Sequence, residues 1–367
     1  MTEHAKEFWP VLAVSPGEIV RALPLVANLY ERHGLVPHQS PNYLSAAMKR
    51  FGANHSVLFA NKDVVLALKD RGDGIWESLF PGSPILFDPG AVDANYIREV
   101  LHSIANSIEA KAIYFPLTYQ RFASSRLLAE VPGVSSWQRS SSPFIDWSDR
   151  GSTLSERFRE RSNSQARRKE RLWSRSLAIV DIDRHDAPGV LEKVDTWSWK
   201  RESMSSLLDN GEFEYYASIL QSGAMTMSAA MYLDEPIAYR IDALQNNVIY
   251  VLEWSYDRRL ARLSPGTFLL VKGLVDSWGR SDVQSVDLFG APDQLKVTLE
   301  TGRHVRNDLA WKEKDGGFDF VDNLRRERQS HDMKLEMGLA DGIGVRRQYE
   351  IFTTGSTGLT GRDDAWR

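Results

Sequence analysis

Cysteine is absent from the 367-residue chain. Its absence removes disulfides, thiolate zinc sites and cysteine nucleophiles together, and it fits a reducing compartment. Long apolar runs are missing too. No window approaches the ~18 uninterrupted apolar residues of a membrane span. The opening residues MTEHAKEFWP carry acids and no apolar core, so neither a signal peptide nor a membrane anchor is expected and the chain reads as cytoplasmic. Nor is there an excess of one charge: 45 Lys and Arg face 49 Asp and Glu, a net −4, and nothing global marks a nucleic-acid binder. The eight histidines are scattered without an H-E-x-x-H, so no metal is expected. No G-x-S-x-G, P-loop or complete G-x-G-x-x-G occurs. What is present is an ordinary globular composition, with 42% hydrophobic residues to build sizeable cores. The length predicts two or three domains.

Hydrophobic periodicity predicts alternating helices and strands. Phe8–Val14 reads as a strand, and Ser15-Pro16-Gly17-Glu18 opens a helix that closes at Gly34. Ser40-Pro41 opens a second helix. His55–Ala60 and Val64–Leu68 form a hairpin about Asn61-Lys62-Asp63. A helix about Ile97–Ile108, a strand Ala112–Leu117, a helix Gln120–Glu130 and a strand Ser136–Trp147 follow. A basic helix about Thr153–Arg175 begins a second run of the same programme, which ends on a strand His304–Trp311. The expected class is therefore α/β with mixed sheets, in units 1–150 and 151–315. Residues 316–367 form an extension with a helix near Phe320–Leu339 and a Gly/Ser/Thr-rich tail.

The chemistry concentrates in the second run. Glu253-Trp254-Ser255-Tyr256-Asp257 ends a strand, Arg258–Leu263 forms a short basic loop, and Ser264-Pro265-Gly266-Thr267 starts a helix. Free amides and the positive end of a helix suit an anion, a pyrophosphate above all, and Arg258 and Arg262 add charge there. The plainer reading is a well-capped core helix with solvated arginines. The basic helix carries Arg167, Arg168 and Lys169, as either a solvated face or a phosphate-contacting surface.

Four stretches in order resemble the CelD/BioF2-like acetyltransferase family of the GNAT superfamily, related to the FemAB/FemX peptidyltransferases. They are Arg167-Arg168-Lys169, Trp197-Ser198-Trp199-Lys200, Tyr256-Asp257 with Ser264-Pro265-Gly266, and Asp287-Leu288-Phe289-Gly290 with Lys296. The resemblance spans about Leu154–Trp311. It implies tandem GNAT-like acyl-CoA N-acyltransferase domains, of which residues 1–150 are the degenerate one.

The resemblance also implies the reaction. An amine attacks the donor carbonyl directly, and the protein orients, stabilises an oxyanion and accepts a proton. Glu253 and Asp287 are the candidate bases, and Tyr256 a candidate proton donor to the leaving group. Arg258, Arg262, Ser264, Gly266 and Thr267 would hold the donor pyrophosphate. Trp199, Lys200 and Lys296 would lie near the acceptor or an anion. Pro265 and Thr267 depart from the usual Arg/Gln-x-x-Gly-x-Gly/Ala loop, and proline offers no N–H to a phosphate. Two donors therefore stand: acetyl-CoA or another acyl-CoA, and an aminoacyl-tRNA drawn along the Arg167–Lys169 patch. The acceptor expected is a small-molecule, sugar or natural-product amine. A non-catalytic binding protein retaining the fold is the reading from another class.

Overall fold

The computed structural model describes residues 11–13, 16–51, 55–147, 156, 158, 160, 166–203, 205–275, 280–312, 322–323 and 325–326. The expected C-terminal extension and its tail lie outside these apart from four positions, and the expected boundary near residue 150 also falls outside them. The first half runs β1 (Val11–Ala13), α1 (Pro16–His33), α2 (Pro41–Phe51), β2 (Ser56–Ala60), β3 (Val64–Asp70), β4 (Ile75–Ser78), β5 (Leu86–Phe87), α3 (Ala94–Ile108), β6 (Ala112–Tyr119), α4 (Ala123–Ala129) and β7 (Val134–Asp146). The second runs α5 (Ala166–Ser176), β8 (Ala178–Ile182), α6 (Ala187–Thr196), α7 (Phe213–Gln221), β9 (Thr226–Tyr232), β10 (Glu235–Gln245), β11 (Val248–Tyr256), α8 (Pro265–Gly273), β12 (Ser285–Asp287), α9 (Gln294–Leu299) and β13 (Gly302–Lys312). Mixed α/β structure with the programme run twice is what the periodicity predicts. The short strands β4 and β5 are additions that it does not reveal.

Both halves share one mixed sheet in the order β1-β2-β3-β4-β6-β13-β7-β12-β11-β10-β9-β8, with β5 on β3. Each half contains one short parallel pair, β4 with β6 and β11 with β12. The final strands are exchanged: β13 pairs β6 of the first half, and β7 pairs β12 of the second. β7 and β13 also pair with each other, so the seam between the halves is hydrogen-bonded sheet.

Strand alternation sets the layers. In β2 and β3, Leu58, Ala60, Val65 and Ala67 face one core, while Val57, Phe59, Leu66 and Leu68 face another. The first of these cores also takes α1 and α2 residues such as Val26 and Leu44, and, from the second half, Leu191, Ile219, Tyr239 and Ile241. Helices α1 and α2 therefore pack with α6 and α7 across one face of the shared sheet. Tyr30 donates to Gln245 Oε1 at 2.6 Å and Arg50 meets Glu212 at 2.6 Å across that contact. On the other face α5 and α8 cover the second half, through Trp173, Phe268 and Leu269.

Candidate functional site

Strands β11 and β12 pair only over Val248↔Ser285, Ile249↔Val286 and Tyr250↔Asp287. β11 continues to Tyr256, whereas the chain after Asp287 turns off through Phe289 (φ 36°) and Gly290 (φ 99°). A gap opens beside the last residues of β11. The Asp257 amide bonds Ile237 of β10, and the next amide, Arg258, points to the opposite edge and bonds Trp197 C=O at 2.9 Å. Ser198 bridges Asp257 there, so the 3-10 turn Trp199–Ser203 sits at the gap.

A bulge aims the first candidate base. Ile241 pairs Glu253 and Asp242 pairs Val251, which leaves Leu252 as the extra residue. Glu253 thereby shares the face of Ile241 and Tyr239, under α6 and α7. Its Oε1 is ion-paired with Lys200 Nζ, both side chains being largely buried. Burial pushes the Glu253 carboxyl above its ordinary range; Lys200 opposes that rise, and Glu212 and Asp195 add to it. A carboxylate with raised proton affinity, held charged by one lysine, is suited to accept a proton.

Asp287 is fully buried at the mouth of the same gap. Its Oδ1 accepts from Ser142 Oγ at 2.9 Å and from the Phe289 amide at 3.0 Å, and Arg121 Nη2 lies 3.5 Å from Oδ2. Arg121 Nη1 is 2.7 Å from His304 Nε2. A guanidinium only donates, so this nitrogen is the acceptor and His304 is neutral with its proton on Nδ1. Burial and Arg121 together hold the His304 imidazole down at about 4. Tyr250 and Asp287 are in register on parallel strands, so Asp287 and Glu253 share a face of the sheet. Each carboxylate nevertheless has its own cation, and no hydrogen bond or ion pair joins them among the described residues. Asp287 is built into the seam between the halves.

Tyr256 lies elsewhere. It pairs Ala238, faces α8, and stacks on Trp199 with ring centroids 6.1 Å apart. Gly266 is buried beneath it: a Cβ there would come within 2.7 Å of Trp254 and 3.0 Å of Tyr256. The glycine is required by ring packing, a reason that the cap pattern does not show. Ser264 has φ 50° and ψ 50° and makes no side-chain cap, which corrects the expected capping serine. The cause is the preceding 3-10 turn Arg258–Leu263, which runs straight into α8; Asp257 caps that turn by accepting from the Arg259 amide. Thr267 is half-buried, and Arg258 and Arg262 are exposed beside it in sequence.

Helix α5 packs against this turn. Trp173 is fully buried and donates to Leu263 C=O at 2.8 Å, one residue before Ser264. The structure thus joins two features that are far apart in sequence, the basic helix and the start of α8. Arg168 on it is exposed and Lys169 half-buried, its ammonium pushed down by that burial; the Arg167 side chain lies outside the described residues. Lys296 is committed to its own loop: Nζ donates to Phe289 C=O at 2.8 Å and Ala291 C=O at 3.3 Å. Burial lowers its proton affinity. Among the described residues no cluster of three or more His, Cys, Asp or Glu could hold a metal, and no helix is long and apolar enough to cross a membrane.

Sequence reasoning missed Arg121, Ser142 and His304, which come from β7, β13 and the turn after β6. No local motif marks them, because strand exchange alone brings them to Asp287.

The arrangement combines a parallel pair that splays, a buried carboxylate at the gap and a helix start beyond it. Residues 156–297 match the family model described as acetyltransferase (GNAT) domain. The chain is 11% identical to the C-terminal domain (DUF2156) of a protein described as a lysylphosphatidylglycerol synthetase from Agrobacterium fabrum, with 85% of this chain and 95% of that one covered and a TM-score of 0.56. It is also 11% identical to L-PGS from Bacillus licheniformis (83% and 96% covered, TM-score 0.56) and 9% identical to FemX (80% and 96%, TM-score 0.54). These likenesses are of fold. A comparison with curated proteins gave no match. Residues 156–297 thus carry the match to a GNAT acetyltransferase domain, and the chain as a whole shares its fold with FemX.

Proposed function

We propose that the chain moves an acyl group from an acyl-CoA, acetyl-CoA foremost, to the amine of a small molecule. The observation that carries this reading is the buried Glu253–Lys200 pair at the gap between β11 and β12. Glu253 would take one proton from the acceptor ammonium and free its lone pair. The nitrogen would then attack the thioester carbonyl, the C–N bond forming as the C–S bond breaks. The second amine proton would leave with the thiol, and Glu253 would release its own to solvent. Proton transfer of this kind contributes about 10²–10⁴-fold, and the rest comes from orientation. The Gly266 and Thr267 amides at the start of α8 would donate to a pyrophosphate, with Arg258 and Arg262 nearby in sequence.

The packing of α5 on the turn before α8 favours a second reading, in which the donor is an aminoacyl-tRNA and Arg168 and Lys169 track its backbone. One pair of measurements separates the two. Thiol release from acetyl-CoA with a panel of amines, and no binding of charged tRNA, supports the first. Tight tRNA binding that weakens steeply with salt, and is lost when Arg168 and Lys169 become Glu, overturns it in favour of the second. Neither activity nor binding with either donor sinks both.

A further inference from the structure

The first half has its own splayed pair, and the space that it opens is lined with charge. β4 and β6 pair over Ile75↔Ala112, Trp76↔Ile113 and Glu77↔Tyr114, then part. Leu117, just beyond, has φ 53°. A cavity of about 320 Å³ lies there, bounded by Ser78 and Pro81 on one side and Pro116 and Leu117 on the other. Three residues beyond the last pair the second half carries Glu253, while the first half carries the fully buried Phe80. This half has the opening without the base.

The cavity has an uneven charge balance. Its lining includes Arg50, Lys69, Arg71, Arg139, Glu77 and Glu212. Arg50 is matched by Glu212 at 2.6 Å, and Arg139 by the buried Asp308 behind it at 2.7 Å. Glu77 serves two cations, Lys69 at 2.9 Å from Oε1 and Arg71 on Oε2. Among the described residues one positive charge is left over. Tyr43, Phe51, Tyr215 and Tyr216 line it as well; Arg50 and Lys69 each lie 5.0 Å from the Phe51 ring. The buried Tyr215 hydroxyl has no well-formed hydrogen bond, although Tyr43 lies beside it.

The far wall belongs to the second half. Glu212 and Tyr216 line the cavity from the start of α7, and α7 packs over the sheet face of Tyr239 and Ile241, which carries Glu253. The cavity and the candidate base therefore share α7 as a neighbour.

We infer that this cavity holds the acceptor, and that the acceptor is a small amine carrying one anionic group. The anion meets Lys69 and Arg71, the uncharged body lies against the tyrosine and phenylalanine rings, and the amine extends past Tyr216 toward Glu253. This rests on the acyl-transfer reading above. A monoanion is preferred because it neutralises the single surplus charge; a neutral or cationic amine leaves that charge unmatched.

Calorimetry without any donor tests it, using matched pairs: phenylalanine with phenylalaninamide, beta-alanine with beta-alaninamide, and glucosamine phosphate with glucosamine. At least one member carrying the anionic group should bind about tenfold more tightly than the partner that lacks it. Arg71→Met should abolish that preference, and Arg71→Lys should restore most of it; the Arg71 side chain is partly exposed, so both variants should fold. Equal binding within every pair, no binding by any anionic member, or a preference unchanged in Arg71→Met overturns the inference. Thiol release is measured separately. Selective binding without thiol release from any acyl-CoA upholds the cavity and sinks the acyl-CoA reading, and thiol release with neutral amines alone does the reverse.

Discussion

Tyr114 and Asp287 occupy equivalent places in the two halves. Each ends a three-residue parallel pair, Tyr114 opposite Glu77 and Asp287 opposite Tyr250. Each also pairs with the exchanged strand of the other half, Tyr114 with Ala310 and Asp287 with Phe144. Each bonds the residue two positions before that partner: Tyr114 donates to Asp308 Oδ2 at 2.5 Å, and Ser142 donates to Asp287 at 2.9 Å. The repeat of the fold thus extends to side-chain contacts, although the residues themselves differ. One half keeps a carboxylate at the gap and the other keeps a charged cavity, which is how a duplicated architecture divides base and binding site under the proposed function.

Glu253→Gln should lower kcat by about 10²–10⁴-fold while leaving acetyl-CoA affinity nearly unchanged. In the wild type kcat/KM should climb with pH through a pKa above the ordinary glutamate range, because the base must be ionised and its folded pKa is raised. That acidic limb should vanish in the variant. A pH–rate profile that keeps its acidic limb in Glu253→Gln removes Glu253 as the base.

His38 should make the protein acid-sensitive. It is buried, stacked on Phe289 at 5.0 Å, with Nδ1 lacking a hydrogen-bond partner, and burial lowers it to about 3. The unfolded chain takes up a proton near pH 6.5 and the folded chain does not, so stability falls as pH drops from 6.5 toward 3. The loss attributable to this residue is about 2–3 kcal/mol near pH 4.5. Denaturant titrations of wild type and His38→Phe across that window should show a shallower decline in the variant, and parallel declines would count against it.

Gly266→Ala should destabilise by about 1–3 kcal/mol, since the new Cβ must displace the rings of Trp254 and Tyr256. Thermal unfolding without ligand is the measurement. An unchanged melting temperature would mean that the close packing on Gly266 relaxes freely.

Lys296→Met should also lose stability, by about 1–3 kcal/mol, because the Phe289 and Ala291 carbonyls forfeit their donor. A purely anion-binding lysine would instead raise KM and leave unfolding alone. Paired melting curves and substrate titrations separate the two.

Many of the elements are legible in the sequence. The helix about Ile97–Ile108, the Asn61 hairpin, the strand leading to Glu253 and the helix after Ser264 are local, each written in a 3.6- or 2-residue period and its punctuation. The Trp199-Lys200 and Tyr256-Asp257 motifs lie beside the gap at which Lys200 meets Glu253. Tertiary structure decided the rest, because the deciding contacts are remote in sequence. Lys200 reaches Glu253 only because β12 leaves β11 and the Trp199–Ser203 turn sits at the gap. Tyr250 and Glu253, three residues apart, end on the same face because a bulge adds Leu252 to the strand. Arg121, Ser142 and His304 meet Asp287 only through strand exchange, and Arg50 meets Glu212 only because α2 packs on α7. Local pattern determines which elements form, since backbone hydrogen bonds and amphipathic faces are properties of short segments. Which charges become partners depends on how those elements stack, and no short segment holds that information.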